Sequence, residues 1–274
     1  MCGNVTGFML KPGLFYKAAN PRALKNKNKV LLPVFCMHNP KAWITKFLME
    51  YWFHQGFIPQ VRQYLADLDI DFKVLFIMNN AGGHPPDLYY MGVQLEFLPP
   101  NTTSLLQPMD QSVVCAFKAL YTRNTLQHFL DVMDRDSKFM LKAYWHKFTI
   151  ATCLSVIDWS LKDMKETLNA CWSQLWPECD HNYMGFSPQE IQHSAINEAV
   201  QLVKILGDEG FDDITEEEVG TLIDVHADPV TDQDLKKLTK SAREEEDTPG
   251  SGVEQEDEEG LTLACLSQVQ KNDK

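Results

Sequence analysis

The chain has 274 residues, of which 44% are hydrophobic and 11% aromatic, so it can bury one good-sized core and a smaller one. No apolar run approaches the roughly 20 residues that span a bilayer, and the first residues do not form a signal peptide, so we expect no membrane association. Residues 1–150 carry 16 Lys and Arg against 10 Asp and Glu, whereas residues 151–274 carry 9 against 28, which divides the net charge of −13 into +6 and −19.

The chain begins with extended segments and a helix. Gly7 lies between two such segments and predicts a hairpin, and residues 30–37 are again apolar. Asn39 and Pro40 predict an N-cap and a first-turn proline for a helix over residues 42–55.

The next elements alternate between helix and strand. Residues 58–68 predict a helix, and residues 73–78 predict a strand that is buried on both faces because it is apolar throughout. A second strand follows at residues 93–97, and a helix is expected to open with Asp110. Its inward stripe consists of Val113, Phe117, Leu120 and Tyr121, while Lys118 and Arg123 are expected to face outward.

The remainder of the chain is predicted to be helical and then disordered. Two helices are predicted over residues 148–161 and 163–175, and Ser187 caps a long helix that follows it. Capping boxes open two short amphipathic helices; they are formed by Thr215 with Glu218 and by Thr231 with Asp234. Residues 243–259 contain almost no core-forming side chains and predict disorder.

A basic loop is predicted over residues 22–29. Its four cations are Arg22, Lys25, Lys27 and Lys29. Such cations can contact a DNA backbone without reading its sequence. The alternative is a loop that is merely solvated, since no recognition helix or zinc finger is visible.

Two polar residues lie where an α/β nuclease holds metal ligands. Asn79 follows the predicted strand at 73–78, and Asp110 begins the next long helix. Two-metal phosphoryl-transfer enzymes need carboxylates at such positions, because Mg²⁺ prefers anionic oxygen ligands. Taken alone, however, an Asp at a helix start is also explained by the helix dipole.

Three segments give the chain a family resemblance. They are FIMNNAGGHPP, FLPPNTTSLLQPMDQSVVCAFKALY and the opening CGNVTG…LKPGLFYKAANPRALKN, with CWSQLWPEC further downstream. Together they resemble the DDE-superfamily domain of pogo/Tigger transposases, over roughly residues 1–180. The resemblance implies an RNase H-like fold that cuts and rejoins DNA with an acidic triad and Mg²⁺.

The resemblance also implies roles for individual residues. Asn79 takes the position of the second acid and Asp110 that of the third, with 30 residues between them. Asn80, His84 and Gln111 take supporting positions around these two. The family's first acid lies on a strand before Cys2–Gly7, so we expect it to be missing. Asp110 would then be the remaining metal ligand, with Mg²⁺ bound weakly if at all.

The sequence as a whole predicts an α/β protein of RNase H-like type without its first strand. The expected parts are a truncated DDE domain (1–135), its helical extension (136–206), short acidic helices (207–242) and a disordered acidic tail (243–274). The predicted function is an inactive transposase-derived protein, in the nucleus or cytosol, with residual DNA binding. Two alternatives stay open: an active Mg²⁺-dependent endonuclease, if a longer product supplies the missing acid, and a protein-interaction module that acts through the acidic C-terminal helices.

Overall fold

The computed structural model describes residues 1–100, 102–110, 112–136, 139–164, 170–172, 175–179, 187–206 and 214–224. The strands are β1 (Gly13–Tyr16), β2 (Phe35–His38), β3 (Val74–Met78) and β4 (Val93–Phe97). The helices are α1 (Lys46–Trp52), α2 (Ile58–Asp67), α3 (Thr103–Leu106), α4 (Val113–Arg135), α5 (Leu141–Lys147), α6 (Ile150–Asp163), α7 (Pro188–Leu206) and α8 (Glu216–Asp224). The chain is therefore mixed α/β, as predicted.

The described strands form two separate parallel pairs. β1 pairs with β2, with Gly13 opposite Phe35, and β3 pairs with β4, with Val74 opposite Val93. The predicted N-terminal hairpin is reduced to one antiparallel bridge between Gly3 and Met9, with Gly7 at a positive φ of 89° in the turn. Within the described residues the expected single mixed sheet is thus divided into two.

The prediction that β3 is buried on both faces was wrong. Phe76 and Met78 are buried, but the side chain of Leu75 between them is 49% exposed. The physical reason is that α1 and the turn after it cover the face that carries Phe76 and Met78, whereas the face that carries Leu75 is left partly open to solvent.

Three apolar clusters form the core. The first surrounds α1, β3 and the π-helical turn Phe53–Phe57 that joins α1 to α2, and the second packs the end of α4 against α5 and α6. The third joins α4 to α7 and α8. In α4, Val113 and Leu120 are buried and Phe117 and Tyr121 partly so, which confirms the predicted inward stripe.

The predicted start of the first helix was wrong because a local hydrogen bond closes a turn at Asn39. The Asn39 side chain accepts from the Trp43 N–H at 3.0 Å, and Ala42 has a φ of 50°, which a helix does not permit. Helix α1 instead begins after Thr45, whose hydroxyl accepts from the Leu48 N–H.

Arg123 also departs from its prediction. It does not face solvent, because its guanidinium contacts Asp163 at 2.6 Å and Glu198 at 3.2 Å. These contacts tie α4 to α6 and α7.

The predicted cap at Ser187 and the predicted capping box at Thr215 are confirmed, and Ser187 also forms a capping box. The Ser187 hydroxyl accepts from the Glu190 N–H, and the Glu190 carboxylate accepts from the Ser187 N–H. Thr215 and Glu218 make the equivalent pair before α8.

Several predictions lie wholly or partly outside the described residues. They include the helix over 163–175, the capping box at Thr231 and the tail over 243–274. The division of the chain into four parts stays a prediction. No helix among the described residues has the length and apolar character of a bilayer span.

Candidate functional site

The carboxyl end of β3 and the turn before α4 meet at one cavity. This cavity has a volume of about 430 Å³ and is lined by Asn79 and His84 after β3 and by Gln107, Pro108 and Met109 before α4. The N-terminal segment and the whole of β3 complete its wall. The structure therefore brings together the two chain segments that carry the predicted site.

Asn79 presents a buried amide at this place. Its Oδ1 is shielded from solvent and accepts no hydrogen bond. Its backbone oxygen lies 2.9 Å from Nδ1 of His84. Because a carbonyl oxygen can only accept, His84 must carry a proton on Nδ1, and it fixes the turn after β3. Asn80 lies next to this turn and is exposed.

Asp110 does not open helix α4. It ends a 3₁₀ turn over Pro108–Asp110, where its N–H donates to the Gln107 oxygen at 3.0 Å, and α4 begins only after Ser112, which has a φ of 65°. Asp110 is exposed as a residue, yet desolvation raises the pKa of its carboxyl group, partly offset by the charge of the N-terminal amine. The raised pKa favours the neutral acid, which is the poorer ligand for a cation.

Three residues with polar side-chain groups that line the cavity were not among the predicted site residues. They are Trp52, Gln107 and Trp172. Each has a buried side-chain polar atom without a hydrogen-bond partner. Gln107 could have been noticed, because it lies three residues before Asp110 in the same motif. The two tryptophans could not, because they come from α1 and from a 3₁₀ turn far along the chain.

The basic loop lies apart from this cavity. Arg22, Lys25, Lys27 and Lys29 are exposed, and none of them lines the cavity wall. The Lys29 ammonium donates to the Ala19 oxygen and the Asn20 side chain, each at 2.8 Å, so it helps to hold the loop. Leu24 of this loop packs into the cluster of α5 and α6. Gln111 lies outside the described residues.

The side chains at the cavity do not fit a two-metal centre. Two adjacent Mg²⁺ ions need several anionic oxygens, whereas the described lining of the cavity supplies the neutral amide oxygens of Asn79 and Gln107, and Asp110, the acid of the motif, is not among the lining residues. Among the residues that the structure describes, no group of three or more His, Cys, Asp or Glu side chains is placed to hold a metal ion.

Comparison with known proteins assigns the family. The model of the DDE superfamily endonuclease matches residues 1–172, which include β1 to β4, Asn79 and Asp110. This chain belongs to the DDE superfamily endonuclease family. The match confirms the resemblance drawn from the sequence motifs.

The curated proteins that the chain is similar to include Jerky proteins and Tigger transposable element-derived proteins. The chain is 26% identical to the human Jerky protein homolog over 70% of its own length, and 29% identical to human Tigger transposable element-derived protein 7 over 49%. It is 27% identical to mouse Jerky protein over 76%. These alignments cover 33%, 26% and 36% of the relatives. The chain is thus a pogo/Tigger-type DDE-domain protein that spans about a third of their length. No solved structure gives a significant match.

Proposed function

We propose that this chain is a transposase-derived DDE-domain protein that has lost DNA cleavage and retains weak, sequence-independent DNA binding in the nucleus. The family implies an RNase H-like fold and a divalent metal carried by three acids. The observation that carries the proposal is the buried amide of Asn79 at the end of β3, where the family has its second acid.

An amide at position 79 weakens metal binding. Its oxygen is neutral, so it removes one unit of negative charge from the ligand set of a hard dication. Asp110 is left as the single acid of the motif, and desolvation raises the pKa of its carboxyl group, which lowers its affinity for a cation relative to a fully solvated carboxylate.

A plasmid nicking assay with Mg²⁺ or Mn²⁺ tests the loss of cleavage. We expect no nicking by the full chain, and the same background from Asp110→Ala. Asn79→Asp serves as the reversal variant and should remain inactive, because one restored carboxylate beside Asp110 does not supply the several anionic oxygens of a two-metal centre. Metal-dependent nicking that disappears in Asp110→Ala would establish an active endonuclease instead.

The exposed cations of the basic loop support residual DNA binding. Arg22, Lys25 and Lys27 are exposed at the surface and can approach phosphates. Lys29 is held by two hydrogen bonds within the loop and is better left unchanged in a test. Each phosphate contact contributes about 0.9 to the slope of log affinity against log salt concentration.

Retention of duplex DNA at increasing salt tests this binding. Replacement of Arg22, Lys25 and Lys27 by Gln should lower both the affinity and the salt slope. The matched control replaces Lys46, Lys142 and Lys147, three exposed lysines of helices, by Gln, and should change the slope less. Equal losses in the two variants would show that net charge alone, and not the loop, attracts DNA.

A further inference from the structure

A groove lies between the basic loop and helix α6, apart from the cavity beside β3. It has a volume of about 330 Å³. Its apolar lining comes from both sides and consists of Leu24, Leu31, Leu32, Pro33, Ala151 and Leu154. Lys11 and Lys27 line it as well, and so does Asp158, whose carboxylate already pairs with Lys162 at 2.6 Å. The groove therefore combines apolar surface with positive charge.

Two apolar side chains at this groove are held in solvent. Val30 is 76% exposed, and Leu31, which lines the groove, is 79% exposed. Hydrogen bonds fix the backbone that carries them. The Asn28 side chain accepts from the Val30 N–H at 3.0 Å, and the Lys11 ammonium donates to the Val30 oxygen at 2.7 Å. Exposed apolar side chains beside an apolar groove indicate a binding surface.

The C-terminal part of the same chain has the complementary pattern. Residues 254–259, EQEDEE, contain five carboxylates, and residues 261–266, LTLACL, contain three leucines. The loop has the same order with the opposite charge, because its cations lie within residues 22–29 and its apolar residues at 30–32. Two segments that match in both charge and apolar character are suited to bind one another.

The length of the chain permits this contact. Position 224, at the end of α8, and position 254 are 30 residues apart, so the chain between them can extend to about 100 Å. A folded chain of about 220 residues has a radius of gyration of roughly 17 Å. The groove therefore lies within reach of residues 254–266.

We propose that residues 254–266, the acidic–apolar segment, dock in this groove of the same chain and inhibit DNA binding. The three leucines of the segment cover the apolar lining, and its carboxylates meet the cations of the basic loop. These are the cations that the proposed function assigns to DNA, so the inhibition rests on that proposal, whereas the docking does not. DNA and the segment compete for one positively charged surface.

Alkylation of Cys265 in the full chain tests the docking. This thiol lies within the acidic–apolar segment, and its reaction with N-ethylmaleimide is followed by peptide mass spectrometry, relative to the rate in urea. Val30→Ser with Leu31→Ser should speed the reaction about fivefold or more, because only the undocked fraction exposes the thiol. The matched control, Ile205→Ser with Leu222→Ser, changes two exposed residues that do not line the groove and should stay within about twofold of the parent.

Two results would overturn the docking. Equal rates in the parent and in the Val30 and Leu31 variant would show that the groove does not hold the segment. A rate in the parent that rises on dilution would assign the groove to the segment of a second copy of the chain. Should the loop variant fail to fold, Leu261→Ser with Leu263→Ser alters the segment itself, leaves the groove unchanged and should speed the reaction in the same way.

Retention of duplex DNA tests the inhibition. Residues 256–259, EDEE, and residues 244–247, EEED, each contain three Glu and one Asp. Replacement of the first set by Gln and Asn should raise DNA affinity about fivefold or more, and the same replacement of the second set should raise it less. Equal gains would show that net charge alone repels DNA. If none of these proteins binds DNA, the inhibition fails together with the proposed function, while the alkylation of Cys265 still decides the docking.

Discussion

The cavity beside β3 and the interface among α4, α6 and α7 differ in how their polar groups are paired. At the helix interface, Arg123 meets two carboxylates, and the Asn124 amide donates to the buried Ser160 hydroxyl at 3.1 Å. At the cavity, Asn79 and Gln107 bury oxygen atoms without partners. An unpaired buried polar group costs about 1–3 kcal/mol, so the helix interface stabilises the fold, whereas the cavity keeps binding groups available. The following experiments test this difference.

The largest expected effect is a difference in the free energy of unfolding that is lost when each of two buried leucines is replaced by alanine. Leu120 of α4 is 2% exposed within the helix interface, and Leu10 is 4% exposed but lines the cavity. Leu120→Ala should lower the free energy of unfolding by about 2–5 kcal/mol, and Leu10→Ala by less, because fewer atoms surround a side chain beside a void. Urea denaturation measures both variants. A larger loss for Leu10→Ala would reverse the assignment of stability to the helices.

The next effect concerns the ion pairs of the helix interface. Arg123→Met leaves the Asp163 and Glu198 carboxylates without their cation and should cost about 1–2 kcal/mol, less at high salt. The control is Lys162→Met, since Lys162 pairs with Asp158 within α6 on an exposed surface and should contribute about 0–0.5 kcal/mol. Denaturation at low and high salt separates them. Equal costs would mean that Arg123 behaves as an ordinary surface cation.

The cap of α7 should have a smaller effect. Ser187→Ala removes the hydroxyl that accepts from the Glu190 N–H and should lower stability by about 1 kcal/mol. Ser194→Ala changes an exposed serine within the same helix and should be neutral within about 0.5 kcal/mol. Thermal unfolding compares the two. Indistinguishable melting temperatures would show that the cap of α7 does not contribute to the stability of the fold.

The smallest effect is expected in the pH dependence of stability, which should have opposite signs for Asp110 and Glu190. The folded-state pKa of Asp110 is raised above 3.8, so the folded state holds its proton more tightly and stability falls as the pH rises through this window. Asp110→Asn should remove that fall. Glu190 is the opposite case, because hydrogen bonds from Ser187 lower its pKa below 4.5, so its contribution is present at higher pH and is lost as the pH falls.

Unfolding measured from pH 3 to pH 7 tests both signs. Glu190→Gln should lose stability relative to the parent at the upper end of this range, whereas Asp110→Asn should gain it there. Curves of the same sign would contradict the opposite pKa shifts of Asp110 and Glu190.

Local features of the chain were predictable from sequence, and features that depend on distant contacts were not. The cap at Ser187 was predicted correctly because the N–H group that it accepts from, that of Glu190, lies only three residues away. The cap at Asn39 was wrong because that side chain closes a turn onto Trp43. Arg123 was expected to be exposed, since its partners Asp163 and Glu198 lie on helices far along the chain.

The candidate site shows the same limit. The motif placed Asn79 and Asp110 in one family pattern, and the structure brings their chain segments to one cavity. The partial exposure of β3 could not be predicted, because residues 73–78 are apolar throughout and indicate a strand that is buried on both faces. Whether both faces of a strand are covered depends on other segments of the chain and leaves little trace in its own sequence.

The tryptophan residues at the cavity allow binding there to be followed by intrinsic fluorescence. The chain has six tryptophans, and Trp52, Trp172 and Trp176 line this cavity. Indole emission shifts to shorter wavelengths when water is displaced from the ring, and Trp176 starts half exposed. The intrinsic emission spectrum therefore reports directly on whatever enters the space beside β3, with no label attached.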